Sequence, residues 1–550
     1  MLLRAVRVEN FRGIRSATLS VDHTTVLIGE NDCGRSSLME AIALALGWNA
    51  GGDDFHFQPY HVHRPAGQAP SAQHAIRIEL EFSESADGEW NGSDFETLCR
   101  ALPEVLGGHR RFRLELAGGV DGSARWTFRS SDEASPQSHP ELLAWLRRRM
   151  PVFWLREGIL DTGVAGPGTE RPADEGARRS SDTVSKHYQD LIEGTALDVG
   201  AAIESGSAAA RQLLLDRAHL RKGYRTPVAE LLEGLTTQRK DIRPSRAQEP
   251  LRSFGTAAQN IGILLLVGAM LRLGADRVER GMDPLTLIED PEAHLHPMTL
   301  ASIWSVLDRI GGQKIIATHS GTLLASARLS SVRRLTRTGG VVREWRVPEG
   351  ALTRDELRRY AYHLRSRRAA ASFARCWLLV EGETEFWLMG ELARACGYDF
   401  ASEGVVCVEF AQCGLGSLVK VAQHLGIKWH LLADGDQAGR NYAQSAREFA
   451  EGRALESCVT LLQDADIEHC FWRFGYAGTF RRAAYPPNSS VGAASQKHAS
   501  PKSVIKRAIE RHSKPSLAVL LLDAVIDRGP AGVPPPLKTA IETCVGLARG

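Results

Sequence analysis

The chain has 550 residues, room for two to four domains of ordinary size. Hydrophobic residues make up 43% and charged residues 24%, the balance of a globular protein with material for a core in each domain. A net charge of +2 excludes attraction of nucleic acid by a global field, so any such contact must come from local basic patches.

Nine cysteines are dispersed without C-x-x-C spacing, which argues against a zinc ribbon or redox motif and fits a reducing compartment. The opening MLLRAVRVENFRGI lacks a signal-peptide apolar region. The longest apolar stretch, Ile261 to Leu271, is too short to span a bilayer. A cytoplasmic location and no membrane partner are therefore expected.

In chain order, residues 1–50 predict strand, turn, strand, loop and helix. RAVRVENF alternates, TTVLIG is a buried strand, and SSLMEAIALAL has helical period. AIRIELEF, RFRLELAG and ARWTFRS predict antiparallel strands within 74–130. The Gly- and Pro-rich stretch 161–182 predicts a loop. A helical or dimerisation insert is expected over roughly 160–245. PLTLIED and KIIATHS predict two further buried strands. After about residue 350, CWLLVEG, VVCVEF, KWHLLADGD and CVTLL alternate with helical segments, which predicts a second α/β domain with a largely parallel sheet. The expected division is 1–350, a linker over 351–374, and 375–550 with a helical C-terminal extension.

Gly29-Glu30-Asn31-Asp32-Cys33-Gly34-Arg35-Ser36 follows a strand and opens a helix. It matches G-x-x-x-x-G-K-[ST] except that Arg35 replaces Lys. Such a loop wraps phosphate oxygens in backbone N–H groups at a helix N-terminus. Asn31, Ser37, Gly29 and Gly34 would line the phosphates, Arg35 would supply the cation, and Ser36 would bind Mg²⁺. Arg keeps the charge with a different reach and shape, which leaves hydrolysis in question. Over the octet alone, an ordinary Gly-containing turn reads the same. PLTLIEDPEAHLHP ends a strand in acids, Glu289 and Asp290, where Mg²⁺ and water would be held. KIIATHS ends in His319, at the place of a γ-phosphate sensor, and RSFGTAAQ places Ser253 and Gly255 before an apolar helix.

Together these segments resemble the ATP-binding cassette of the SMC/RecF/OLD group. The resemblance implies head-to-tail dimerisation, with Ser253 and Gly255 of one subunit on ATP held by the other. It aligns the group's magnesium-binding Asp with Glu289 and its catalytic Glu with Asp290, a swap of lengths, with Glu292 following. His294 and His296 lack metalloprotease spacing and fall in the loop after the acidic strand.

CWLLVEGETE puts Glu381 at a strand end and Glu385 on the next helical turn, and HLLADGDQAG puts Asp434 and Asp436 at another strand end. Parallel strands open on one edge, so four carboxylates could converge there. Such a cluster repels itself unless a divalent cation binds, and oxygen ligands favour Mg²⁺ or Mn²⁺. Two helix-capping acids and a D-G turn would read the same.

The E-G…D-x-D layout resembles a toprim domain, and E-G-x-x-E behind an ABC-type ATPase resembles the OLD-family ATP-dependent endonucleases over nearly the whole chain. The fold class implied is α/β: an N-terminal ABC/SMC-like ATPase domain with a helical insert, then a C-terminal toprim domain. The resemblance also implies Glu468 as a further metal ligand, Lys514 as an electrostatic stabiliser of the transition state, and one or two ions at the toprim site beside one with ATP. A helix-start acid and a solvated lysine are their bland alternatives. Gly414 and Gly416 form either a loop near the metals or a plain strand-to-helix turn.

Lys497, Lys502, Lys506, Arg507, Arg511 and Lys514 form one basic patch, and Arg365, Arg367, Arg368 and Arg375 another. They fit DNA phosphates, or solvated surface, without base reading. The expected activity is ATP-controlled, metal-dependent DNA cleavage in phage defence or repair, by a homodimer. Some members of the family work with a helicase-like partner. A non-catalytic clamp, or a toprim topoisomerase or primase, are the alternatives. No tyrosine-bearing module or zinc module is visible for the last two.

Overall fold

A computed structural model describes residues 1–47, 55–64, 75–103, 110–130 apart from 120, 135–156, 159–161, 283–293, 312–362, 369–485 apart from 451 and 453, and 498–550, with isolated positions 105, 304, 307 and 308. The expected insert over most of 160–245, Ser253, Gly255, His294, His296, Arg365, Arg367, Arg368 and Lys497 lie outside them. The chain divides into two compact units, Met1–Trp345 and Arg346–Gly550. The stretch 351–374 lies within the second unit. It carries the helix Arg354–Tyr360, started by a capping box between Thr353 and Glu356. Among the described residues no helix is long and apolar enough to cross a membrane.

The first unit is built on one mixed sheet of twelve strands. In chain order they are β1 (Leu2–Phe11), β2 (Ile14–Ser20), β3 (Thr24–Gly29), β4 (Ile76–Ser83), β5 (Arg111–Gly118), β6 (Ala124–Arg129), β7 (Val152–Arg156), β8 (Ile159–Asp161), β9 (Leu285–Glu289), β10 (Gln313–Ala317), β11 (Val332–Thr338) and β12 (Val341–Trp345). They lie in the order β6-β5-β4-β1-β2-β12-β11-β3-β10-β9-β7-β8. The antiparallel part alternates, as one-sided burial demands. Leu3, Val6, Val8, Ile78, Leu80, Leu114 and Leu116 face the core. The opposite face carries an ionic lattice in which Arg113 lies 3.0 Å from Glu81 and Arg77 lies 2.7 Å from Glu115. In the parallel part, β3, β10 and β9 are buried apart from the half-buried Thr24, and each carries an apolar run beside buried polar residues such as Thr25, Thr286, Gln313 and Lys314. Helix α1 (Arg35–Ala45) follows β3 and buries Leu38, Met39, Ile42 and Leu44.

The second unit centres on a parallel sheet of β13 (Cys376–Val380), β14 (Val405–Glu409), β15 (Lys428–Ala433) and β16 (Val459–Leu461), in the order β14-β13-β15-β16. Helices α2 (Glu383–Ala395), α3 (Leu415–His424), α4 (Gln437–Glu448) and α5 (Ile467–Phe471) follow the four strands in turn. The C-terminal helices α6 (Pro501–His512), α7 (Lys514–Ile526) and α8 (Pro535–Arg549) close the core. Leu517 and Leu521 of α7, and Ile541 and Val545 of α8, pack with Leu378, Leu388, Leu392 and Leu432. All four strands run the same way, so the loops after them collect the acids on one edge.

Candidate functional site

Two constellations stand out, one in each unit. In the first, β3 ends at Gly29 and α1 begins at Arg35. Gly34 caps the helix at φ 104°, a conformation that favours glycine. A Cβ there would also press Val342 at 3.2 Å. The start of α1 thus lies just beyond the end of β3, and a helix N-terminus there favours an anion. Ser36 Oγ donates to the Glu289 carboxylate, which joins the loop to the end of β9. Arg35 is buried and bonds Gly29 O at 2.9 Å and the His319 ring. Asp290 lies 3.8 Å from His319 Nε2. Glu292 accepts from Thr318 Oγ1 at 2.8 Å and from His319 N at 2.5 Å, so it fixes the backbone that carries His319. Gly29, Gly34, Arg35, Ser36, Glu289, Asp290 and His319 are thus gathered at one edge of the sheet. A seryl hydroxyl beside a carboxylate, under a helix N-terminus, fits a nucleoside triphosphate with a divalent ion.

In the second unit the acids come from three strand ends. Glu381 follows β13, and its Oε2 is buried without a hydrogen-bond partner. Burial, and then the Asp436 charge, push its carboxyl up. Glu385 is buried in the first turn of α2, and burial raises its carboxyl, with Glu468 adding to the effect. Asp434 follows β15. Burial first, then the charges of Glu385, Glu381, Asp466 and Glu468, push it up to about 8. Asp436 caps α4 through Gly439 N at 2.8 Å. Glu468, in α5, is buried and raised by burial, an effect that Lys514 opposes from 3.9 Å. Thr384 Oγ1 also donates to Glu468, at 3.5 Å.

The charged forms of Glu381, Glu385, Asp434 and Glu468 are disfavoured together, as like charges in a low-dielectric site must be. A divalent cation would relieve that repulsion and partner the orphaned Glu381 oxygen, so the donor set fits a hard metal ion. Among the described residues no three His, Cys, Asp or Glu side chains form a ready-made metal cage.

Several residues that sequence reasoning passed over join this edge. Asp466 caps α5 and bonds His469 Nδ1 at 2.6 Å. Asp464 O accepts from Gly435 N at 2.9 Å, and its carboxylate lies 3.0 Å from Arg473. Asp464, Asp466 and Glu468 follow one another at a spacing of two in QDADIEH, a signal that could have flagged them. The helix Ala477–Ala484 packs on α6 and exposes Arg481 and Arg482 beside its Lys502, Lys506, Arg507 and Arg511. Gly414 precedes α3 at φ 83°, a strand-to-helix turn after β14.

Residues 1–371 match the family described as "Protein of unknown function (DUF2813)", and residues 373–436 match the "Overcoming lysogenization defect protein-like, TOPRIM domain". The chain is 34% identical to the "Uncharacterized protein YbjD" of Escherichia coli (strain K12), over 100% of both chains. It is 27% identical to the "Old nuclease" of Escherichia phage P2 over 35% of each. Among solved structures it is similar to the C-terminal region of the Burkholderia pseudomallei OLD protein, with 18% identity, a TM-score of 0.28, and coverage of 32% of this chain and 99% of that one.

Proposed function

The chain belongs to the DUF2813 family and is an OLD-family ATPase–toprim protein, and on that premise we propose that it is an ATP-binding, divalent-metal-dependent DNA endonuclease. The observation that carries this reading is the convergence of Glu381, Glu385, Asp434 and Glu468 with Lys514 at the C-terminal edge of one parallel sheet. A buried group of acids that costs stability is retained where it does chemistry.

Glu381, Glu385, Asp434, Asp436 and Glu468 would hold one or two Mg²⁺ or Mn²⁺ ions. Bound there, the ions would activate water and stabilise the leaving oxygen. Asp436 holds its turn rigid through the Gly439 bond, which fixes where Asp434 points. Lys514 balances Glu468 from a largely exposed position, where its ammonium can also meet a phosphate oxygen. The Lys514→Ala protein is expected to cleave plasmid about 10²-fold more slowly than wild type, with Lys514→Arg recovering part of the loss, read from nicking rates.

In the first unit Ser36 and Glu289 would hold Mg²⁺ with ATP, Asp290 would orient water, and His319 would face the terminal phosphate. Dimerisation through these ATPase units, a role in phage defence or repair, and control of cleavage by nucleotide belong to the same reading. Supercoiled plasmid incubated with Mn²⁺ or Mg²⁺, with and without ATP, tests it. Metal-dependent nicking supports the endonuclease, and binding without cleavage supports a clamp.

DNA would lie along α6 and the helix Ala477–Ala484. Lys502, Lys506, Arg507, Arg511, Arg481 and Arg482 are exposed there, against the single acid Glu510 on these two helices. The double variant Arg481→Ala, Arg482→Ala is expected to bind duplex DNA more weakly at every sequence. Its slope of log affinity against log salt should be shallower by about two. Fluorescence anisotropy over a salt series checks this.

A further inference from the structure

Arg35 stands in the first turn of the helix that faces the nucleotide site, yet more than nine-tenths of it is buried. Its Nη1 donates to Gly29 O at 2.9 Å and to Thr318 O at 3.5 Å. Its Nη2 meets the His319 ring, 3.3 Å from Nδ1 and closer still to Nε2. A guanidinium only donates, so the ring nitrogen it meets must offer a lone pair. A lysine ammonium is a compact point charge, whereas the planar fork can hold two carbonyls and an imidazole at once. Glu292 clamps the backbone N–H of His319, and Asp290 flanks the ring. The loop cation and the end of β10 therefore form one hydrogen-bonded unit.

We propose that Arg35 and His319 act together as a single reader of the terminal phosphate, so that preference for a nucleoside triphosphate over a diphosphate belongs to the pair. This rests on the nucleotide-binding reading of the loop and goes beyond it. A terminal phosphate competes for the N–H groups that Arg35 now gives to His319. Turning Nη2 to a phosphate oxygen frees the imidazole to turn, so that its other nitrogen, the one that carries the proton, donates to the same phosphate. The inner phosphates, met by backbone N–H groups at the start of α1, need neither movement. Removing His319 removes what aims the guanidinium, and removing the guanidinium removes what poises the ring. The two losses must then overlap rather than add.

Titration calorimetry on the full chain with Mg²⁺ tests this, using AMP-PNP and ADP on wild type, Arg35→Lys, His319→Gln and the double variant. Wild type is expected to bind AMP-PNP at least about tenfold tighter than ADP. Each single variant should bring that ratio to within about threefold, and the double variant should lose no more. An Arg35→Lys protein that keeps the wild-type ratio, or losses that add in the double variant, would overturn the coupling and leave the nucleotide site standing. A wild type that binds neither nucleotide overturns both readings. Histidine-ring NMR gives a readout in wild type that does not depend on how well Arg35→Lys folds. The His319 resonance, assigned with His319→Gln, should move with AMP-PNP and stay with ADP. Equal movement with both contradicts the proposal.

Discussion

Replacing Gly439 by alanine is expected to abolish cleavage and to destabilise the second unit by several kcal/mol, on the order of 3 or more. A Cβ at this position would stand 1.9 Å from Asp434 O, 2.7 Å from its carbonyl carbon and 2.9 Å from its nitrogen. All three atoms are backbone, at the end of a strand paired on both sides. No rotamer change relieves such a clash, so either α4 moves away from β15 or the turn opens. Either movement breaks the bond from Gly439 N to Asp436 and takes Asp434 out of the acid cluster. Thermal unfolding and limited proteolysis of the second unit check the prediction. A variant with wild-type stability and activity would contradict the tight turn.

The second large effect concerns Asp434, whose carboxyl is pushed up to about 8 from 3.8. Its folded-state value is raised, so the folded protein holds the proton more tightly than the unfolded chain. The folded form is therefore favoured at low pH and loses stability as pH rises through the window from about 4 to about 8. Metal-free wild type should lose melting temperature across that window relative to Asp434→Asn, which carries no charge to bury. Divalent cation should reverse the order. Mn²⁺ should raise the melting temperature of wild type at pH 8 and leave the Asn variant nearly unmoved. Scanning calorimetry with EDTA or Mn²⁺ reads both effects. A wild type that Mn²⁺ does not stabilise would count against a metal in the cluster.

Much of this was legible in the chain because local chemistry marked it. TTVLIG followed by a Gly-flanked loop and an apolar-periodic helix became β3, the loop and α1. VEGETE and ADGD each end an apolar run in acids, and the parallel sheet brought those ends to one edge. The four strands expected after residue 350 all formed. What was not legible depends on distance along the chain. Arg35 meets a histidine 284 residues away, and Ser36 meets a carboxylate 253 away. Nothing local in PEAH says that Glu292 holds the His319 backbone. The place of β12 beside β2, and of β7 beside β9, is likewise a product of long-range pairing. Arg481 and Arg482 looked like any pair of surface cations until their helix packed on α6.

The most direct measurement is cleavage of supercoiled plasmid by purified full chain in Mn²⁺ or Mg²⁺, beside the double variant Asp434→Ala, Asp436→Ala. The account predicts nicking or linearisation by wild type that EDTA stops and that the variant lacks, with a rate that changes when ATP is added. A wild type inert in both metals on plasmid, linear duplex and single strands, or a variant as active as wild type, would contradict it.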